Sequence, residues 1–317
     1  MQSWITLLMV IVVTSCSNDA APDLPSQASG KCKKRNASLG IVNGEVSDDP
    51  GVKKLLIYNK KGEFIDRCTG VFISSSNLLT AAHCVLHPGL GGAAGKVVLE
   101  DTNESSEEMI PHDQYTLPKG FIGLLQNGLD VAKASNSQFD IAIVKFKPRK
   151  RQIFAIGAQG KEGDVVTMIG YGDTEAVTTK VRADYKGMTP AAREAYIRRV
   201  FTQKSGQTSI SSLRPEGYFF LEYGQVGGRP FAAFGDSGGP LLNSNRQIIG
   251  VTSCGQPKNL IAGAQSDILT GEWRPVYTDL NSQMSRRFLQ KYINSDDLIV
   301  ESDEKSNADA VKRDPGC

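Results

Sequence analysis

Gly235-Asp236-Ser237-Gly238-Gly239-Pro240, read together with Thr80-Ala81-Ala82-His83-Cys84 far upstream, decides what kind of chain this is. A serine hydroxyl is a weak nucleophile near neutral pH. It becomes reactive when a base takes its proton and fixed donors receive the negative charge that develops on its target. Ser237 lies in a glycine-rich turn, and glycine lets backbone N–H groups approach a bound molecule closely. His83 closes a strand-like run. Outward from these stretches come short apolar runs separated by turn residues: Lys54 to Tyr58, Gly70 to Ile73, Val97 to Leu99, Ile141 to Phe146, Asp164 to Ile169 and Gln247 to Thr252. That pattern predicts an all-β protein built from hairpins.

With 317 residues the chain can bury a large core. A net charge of +2 with 22% charged residues argues against a nucleic-acid binder. The cluster Lys145, Lys147, Arg149, Lys150, Arg151, broken by Pro148, reads as a solvated loop or strand end. Ile5 to Val13 is too short to span a membrane and suits a secretory signal over 1–16. Its end, Val13-Thr14-Ser15-Cys16, resembles a bacterial lipoprotein signal, which would place a lipid on Cys16. The start, Met1-Gln2-Ser3-Trp4, carries no Lys or Arg, so an ordinary signal cut nearby stays open. Residues 17–40 have the composition of a linker or pro-segment. Two helices are expected. Asp279 to Tyr292 carries a stripe of Leu280, Met284, Phe288, Leu289 and Tyr292, and Thr189-Pro190 opens another with an N-cap, a first-position proline and Glu194 in the first turn. Residues 295–317 read as a loose tail.

The histidine and serine motifs, in that order, resemble the trypsin/chymotrypsin family of serine proteases. The resemblance implies two six-stranded antiparallel barrels, about 41–150 and 151–280, with a cleft between them and a C-terminal helix, the protease domain spanning 41–294. It implies a serine endopeptidase that works through an acyl-enzyme, with His83 as general base and Ser237 as nucleophile. For the carboxylate, Asp101, Asp113, Asp130, Asp140, Asp164 and Asp173 lie in the right interval. Phe139-Asp140-Ile141-Ala142-Ile143-Val144 resembles the family's Asp-Ile-Ala-Leu strand and singles out Asp140, the competing explanation being a turn residue ahead of a strand. Ser253 matches the family serine that hydrogen-bonds this aspartate. Gly235 and Ser237 would supply the oxyanion-hole N–H groups. Ile41, opening Ile41-Val42-Asn43-Gly44, matches the mature N-terminus whose amine pairs with Asp236. Cys68 and Cys84 would form the disulfide bracing the histidine loop; of the remaining cysteines, Cys32 with Cys317 is the pairing expected.

In trypsin-like members an aspartate six residues before the nucleophile forms the pocket floor; here that residue is Phe231. Ala232 follows, Ala233 stands where the family often has a cysteine, and Ser253-Cys254-Gly255 would form the wall with Cys254 replacing a tryptophan. A Lys or Arg side chain would be buried there without a partner, so small or apolar residues are expected at P1. Gly40 precedes Ile41, which excludes a trypsin-like activator at that bond, so 17–40 would be removed by another protease or by self-cleavage. Peptides or proteins are the expected partners, with no nucleic acid, no cofactor and no metal, since the histidines are scattered and no Cys-x-x-Cys or His-Glu-x-x-His occurs. The expected location is outside the cell, secreted or lipid-anchored in a bacterial envelope. Two alternatives stay open: a catalytically silent homologue that binds a protein in the cleft, and an esterase, against which the all-β context and the His-before-Ser order both count.

Overall fold

Val52–Tyr58 (β2) is buried along its whole length although it contains two lysines, which marks it as a central strand. The computed structural model describes residues 41–87, 92–100, 107–108, 115–126, 134–172, 187–225, 228–257 and 272–293. The signal, the linker and the tail, with Cys16, Cys32 and Cys317, lie outside the described residues, as do Asp101, Asp113, Asp130 and Asp173. Before β2 runs β1 (Glu45–Val46); after it come β3 (Phe64–Phe72), β4 (Asn77–Thr80), the short helix α1 (Ala82–Val85), β5 (Leu86–His87), β6 (Gly92–Ala93), β7 (Lys96–Glu100), β8 (Glu107–Glu108) and β9 (Tyr115–Thr116). Helix α2 (Lys119–Gln126) and a 3-10 turn (Ala134–Phe139) precede β10 (Ala142–Lys145) and β11 (Val165–Gly170). Helix α3 (Pro190–Val200) leads into β12 (Lys204–Arg214), β13 (Tyr218–Leu221), β14 (Pro240–Leu242), β15 (Ile248–Pro257), β16 (Trp273–Asp279) and helix α4 (Gln283–Leu289).

The strands form two large antiparallel sheets. In the second, β12-β11-β14-β15-β16-β13 closes into a six-stranded barrel because β12 also pairs with β13, and β1 adds to its outside. The first runs β8-β7-β2-β3-β4-β10-β9 as a half-barrel. Among the described residues no ladder joins β9 back to β8, and the chain between them passes through residues outside that set. This is the expected chymotrypsin-like architecture. One apolar core fills the first sheet and continues through Ile169, Leu242, Ile248 and Val251 into the second. Leu280, Leu289 and Ile293 join that core, so the C-terminal helix packs on the first barrel. It is shorter than expected: Asp279 still ends β16, and Ser282 caps the helix by accepting from Ser285 N–H at 3.2 Å.

Helix α3 begins where its N-cap and proline predict, with Thr189 Oγ1 accepting from Ala192 N–H. Glu194 falls beyond the first turn, and it takes hydrogen bonds from Tyr58 Oη at 2.6 Å and Arg198 Nη2 at 2.8 Å. The other end of the helix is held by Lys54. Its ammonium donates to the carbonyls of Ile197, Arg198 and Phe201 at 3.4, 3.2 and 3.0 Å and pairs with Glu100 at 2.6 Å. The carbonyls at the end of the helix are thus bound by a strand lysine, Ile197 O accepting also from the Phe201 N–H. Burial pulls the Lys54 pKa down, while Glu100 opposes that pull. Ile197 and Phe201 add apolar contact with Leu56, Phe64 and Val98.

Removing one member of a buried ion pair costs about 3–5 kcal/mol. Lys54→Met is therefore expected to lower unfolding stability by about 3 kcal/mol, read as a lower urea midpoint at unchanged m-value, with amide-exchange protection over 190–200 lost first. Unaltered protection there would show that α3 does not depend on this lysine.

Candidate active site

The register of two strands creates the central contact. In the antiparallel pair β4–β10, Ala142 faces Thr80. Two residues before Ala142 stands Asp140, and three after Thr80 stands His83 on the turn of α1, so the two side chains are delivered to the same end of the ladder. His83 Nδ1 lies 2.7 Å from Asp140 Oδ2, and His83 N–H donates to Oδ1 at 2.9 Å. Ser253 Oγ donates to Oδ2 at 2.6 Å. Ser253 reaches it because β15 shifts register against β16 between Thr252 and Cys254, and such a bulge re-aims a side chain.

Asp140 is 3% exposed, so its charge depends on these partners. Burial pushes its pKa up, but the His83 charge and the hydrogen bonds outweigh that and leave it below the ordinary carboxylate value. For His83 burial pulls down, and the Asp140 carboxylate reverses the direction, so the net shift is upward. The Nδ1 contact fixes the tautomer and turns Nε2 away from Asp140. Cys68 and Cys84 form the expected disulfide, tying β3 to α1 beside the histidine. Their sulfurs and His83 lie together as a metal site would require, but the sulfurs are consumed in that bond and Nδ1 faces Asp140.

Ser237 sits in the turn before β14. Gly238 has φ +84°, and a Cβ there would strike Thr80 Oγ1 and the Thr69 carbonyl, so only glycine lets the turn press against the first sheet. Thr69 N–H donates to Ser237 O at 2.8 Å, and the Cys84 sulfur lies 3.7 Å from the same oxygen. The Ser237 hydroxyl makes no hydrogen bond with the His83 ring among the described residues. Hydrogen bonds of this kind are often long in the absence of substrate and tighten when one binds. The N–H groups of Gly235 and Ser237 donate to no acceptor among the described residues.

Asp236 is fully buried, its carboxylate accepting from Gly172 N–H at 2.7 Å and Ala233 N–H at 2.8 Å. Ile41 is fully buried in the core of the second barrel, and Val42 exchanges both backbone hydrogen bonds with Phe231. Phe231 is 0% exposed, clustered with Val42, Ala233 and Trp273. Ala232 and Ser253 are buried; Cys254 is half-buried, its sulfur 3.5 Å from Ser137 Oγ. A Cβ on Gly255 would collide with the indole of Trp273, which packs directly on that glycine. Trp273 carries no motif and sequence reasoning missed it; the available clue was a large aromatic opening the strand that pairs with β15.

The family model for trypsin matches residues 42–265. Among solved structures, a Glu endopeptidase in complex with MPD is 16% identical with a TM-score of 0.49, over 80% of this chain and 97% of that one. HL collagenase is 17% identical with the same TM-score of 0.49, over 79% and 98%. No curated protein matches the sequence.

The His83–Asp140 geometry predicts that the imidazole titrates above the unperturbed value of about 6.5. In Asp140→Asn burial is left largely unopposed and the pKa falls below that value. Ring ¹H–¹⁵N spectra across pH would show it; an unmoved His83 titration in the variant contradicts the assignment.

Proposed function

This chain belongs to the trypsin family, and on that premise we propose that it is an exported serine endopeptidase using His83, Asp140 and Ser237. His83 takes the proton of Ser237 as Oγ attacks the scissile carbonyl. The oxyanion that forms is met by the N–H groups of Gly235 and Ser237. Collapse expels the amine, which His83 protonates, and water then releases the acyl group by the same route. The observation that carries this reading is the buried carboxylate holding Nδ1 of His83, beside a serine turn whose two N–H groups meet no acceptor among the described residues. Asp140 fixes the tautomer and stabilises the imidazolium.

The P1 side chain meets an apolar, largely filled pocket. Phe231 lies where an acidic floor would be, and the Trp273 indole stands in front of Gly255. A cationic side chain would be desolvated there without a counter-charge, at a cost of several kcal/mol, and a bulky one would meet the indole. Small P1 residues fit. Release of Ile41 by cleavage after Gly40, export and lipid attachment at Cys16 rest on the sequence of the leader. The Asp236 carboxylate is held by the Gly172 and Ala233 N–H groups and Ile41 is packed in the second-barrel core, so the pairing of a released Ile41 amine with Asp236 rests on the family pattern alone. A silent homologue that binds protein in the cleft is the second reading, favoured by the departures from the family pattern at Phe231 and Gly40.

Labelling by a fluorophosphonate separates the two: the active protein is labelled and Ser237→Ala is not. An unlabelled, correctly matured protein would support the silent homologue. Asp140→Asn is expected to lower turnover about 10⁴-fold. A protonated imidazole accepts no proton, so kcat/KM falls as pH drops through the raised His83 pKa, placing the acid limb above about 6.5. For the pocket, a peptide library should show cleavage after small residues, and Trp273→Gly should admit large apolar P1 residues. A library dominated by Lys or Arg overturns the pocket assignment.

A further inference from the structure

We infer that Arg67 is a positioning residue that sets the direction of the Gly235 N–H. This rests on the proposed serine-protease reading. Arg67 immediately precedes the disulfide cysteine on β3 and is only 5% exposed. Its Nη2 donates to the Phe234 carbonyl at 3.2 Å. The guanidinium also lies flush against Gly235, where a Cβ would fall 2.8 Å from Nε and 3.1 Å from Cζ. It also lies over the Phe201 ring, with Cζ 3.7 Å from the ring centroid. Phe201 is 1% exposed, and its own carbonyl is held by Lys54.

The consequence follows from peptide geometry. The Phe234 carbonyl and the Gly235 N–H belong to one planar trans peptide, so they point in opposite directions. Holding the carbonyl toward Arg67 turns the N–H to the opposite side of the peptide, where no acceptor among the described residues meets it. The next carbonyl is held as well: Gly235 O accepts from Thr69 Oγ1 at 2.9 Å. Gly235 has φ +97° and no side chain to resist rotation of its peptide. The loop therefore needs an outside restraint, and a flat cation that bonds the Phe234 carbonyl and touches both Phe201 and Gly235 supplies one. A flipped peptide would send the carbonyl into the oxyanion position and aim the N–H at the guanidinium, an arrangement in which two donors face each other. Being buried, Arg67 does not touch substrate; its effect passes through Gly235.

The test compares Arg67→Met and Arg67→Lys with the parent protein in its active form, using a small-P1 peptide amide and a peptide boronic acid as the transition-state mimic. One oxyanion donor is worth about 10²–10³ in turnover. Arg67→Met should lower kcat by about 10- to 100-fold with KM within about twofold, and weaken the boronic acid in proportion. Arg67→Lys keeps one donor and the charge and should recover part of the loss. Circular dichroism and melting temperature establish that each variant is folded. If Arg67→Met does not fold, a several-fold fall in kcat for Arg67→Lys with parallel loss of boronic acid affinity supports the inference. Parent-like kcat and boronic acid binding in a folded Arg67→Met, or a change confined to KM, overturns it while leaving the protease reading intact. A parent protein that neither cleaves nor takes up fluorophosphonate removes both.

Discussion

Everything at the site depends on a carboxylate taken out of water. Asp140 is nearly inaccessible, and an ionised group so placed must be satisfied by its surroundings or give up its charge. Three donors meet it: the ring and the backbone of His83, and the hydroxyl of Ser253. They come from two pieces of chain, and each piece is delivered by a feature of the sheets. The β4–β10 register brings the histidine, and the bulge in β15 brings the serine. A one-residue slip in either ladder would turn the side chains to the opposite face and leave the charge unpaired. The demands of the buried charge and the demands of the fold therefore select the same register.

A second dependence runs across the seam between the sheets. Three successive residues of β3 brace the site, two of them on the loop that carries Ser237 and one on the turn that carries His83. Arg67 takes the Phe234 carbonyl, Cys68 joins the histidine turn through its disulfide, and Thr69 takes the carbonyls of Gly235 and Ser237 through its hydroxyl and its N–H. The serine belongs by sequence to the second barrel, yet its turn is fixed by the first. Gly238 permits this approach because any side chain would strike Thr80 and Thr69.

The site was legible because motifs keep reactive residues in fixed local company. Thr80 to Cys84, Asp140 with its apolar strand, and Gly235 to Pro240 could be read without knowing any contact. Strands such as β2, β10 and β15 were legible as apolar runs. What escaped the sequence were the charged residues that fold inward. Lys54 and Arg67 have the composition of a solvated surface, and only the structure shows helix carbonyls around one and an aromatic ring beneath the other. The long hairpin β12–β13 was missed for a related reason. Lys204–Arg214 is polar and serine-rich, with burial that falls on isolated residues, so its alternation is too weak to stand out. Trp273 was missed because its importance lies in Gly255 across the ladder.

On the proposed reading, the packing around Phe231 and the absence of a second bracing disulfide among the described residues have one explanation. Ala233 stands where the family often carries a cysteine, so the loop ahead of the serine must be held some other way. Phe231 is fully buried against Val42 and Gly224, Val42 pairs with Phe231 through both backbone groups, and Trp273 does the same with Gly224. Burying a phenylalanine side chain contributes on the order of 2–3 kcal/mol, comparable with the roughly 2–4 kcal/mol of a typical disulfide. Apolar packing is therefore strong enough to replace the covalent brace. Packing, unlike a disulfide, fills space, and on the proposed reading the space it fills is where a large P1 side chain would go. Loop stability and the proposed narrow P1 acceptance would then arise from the same two aromatic rings, and a change that relaxes one would loosen the other.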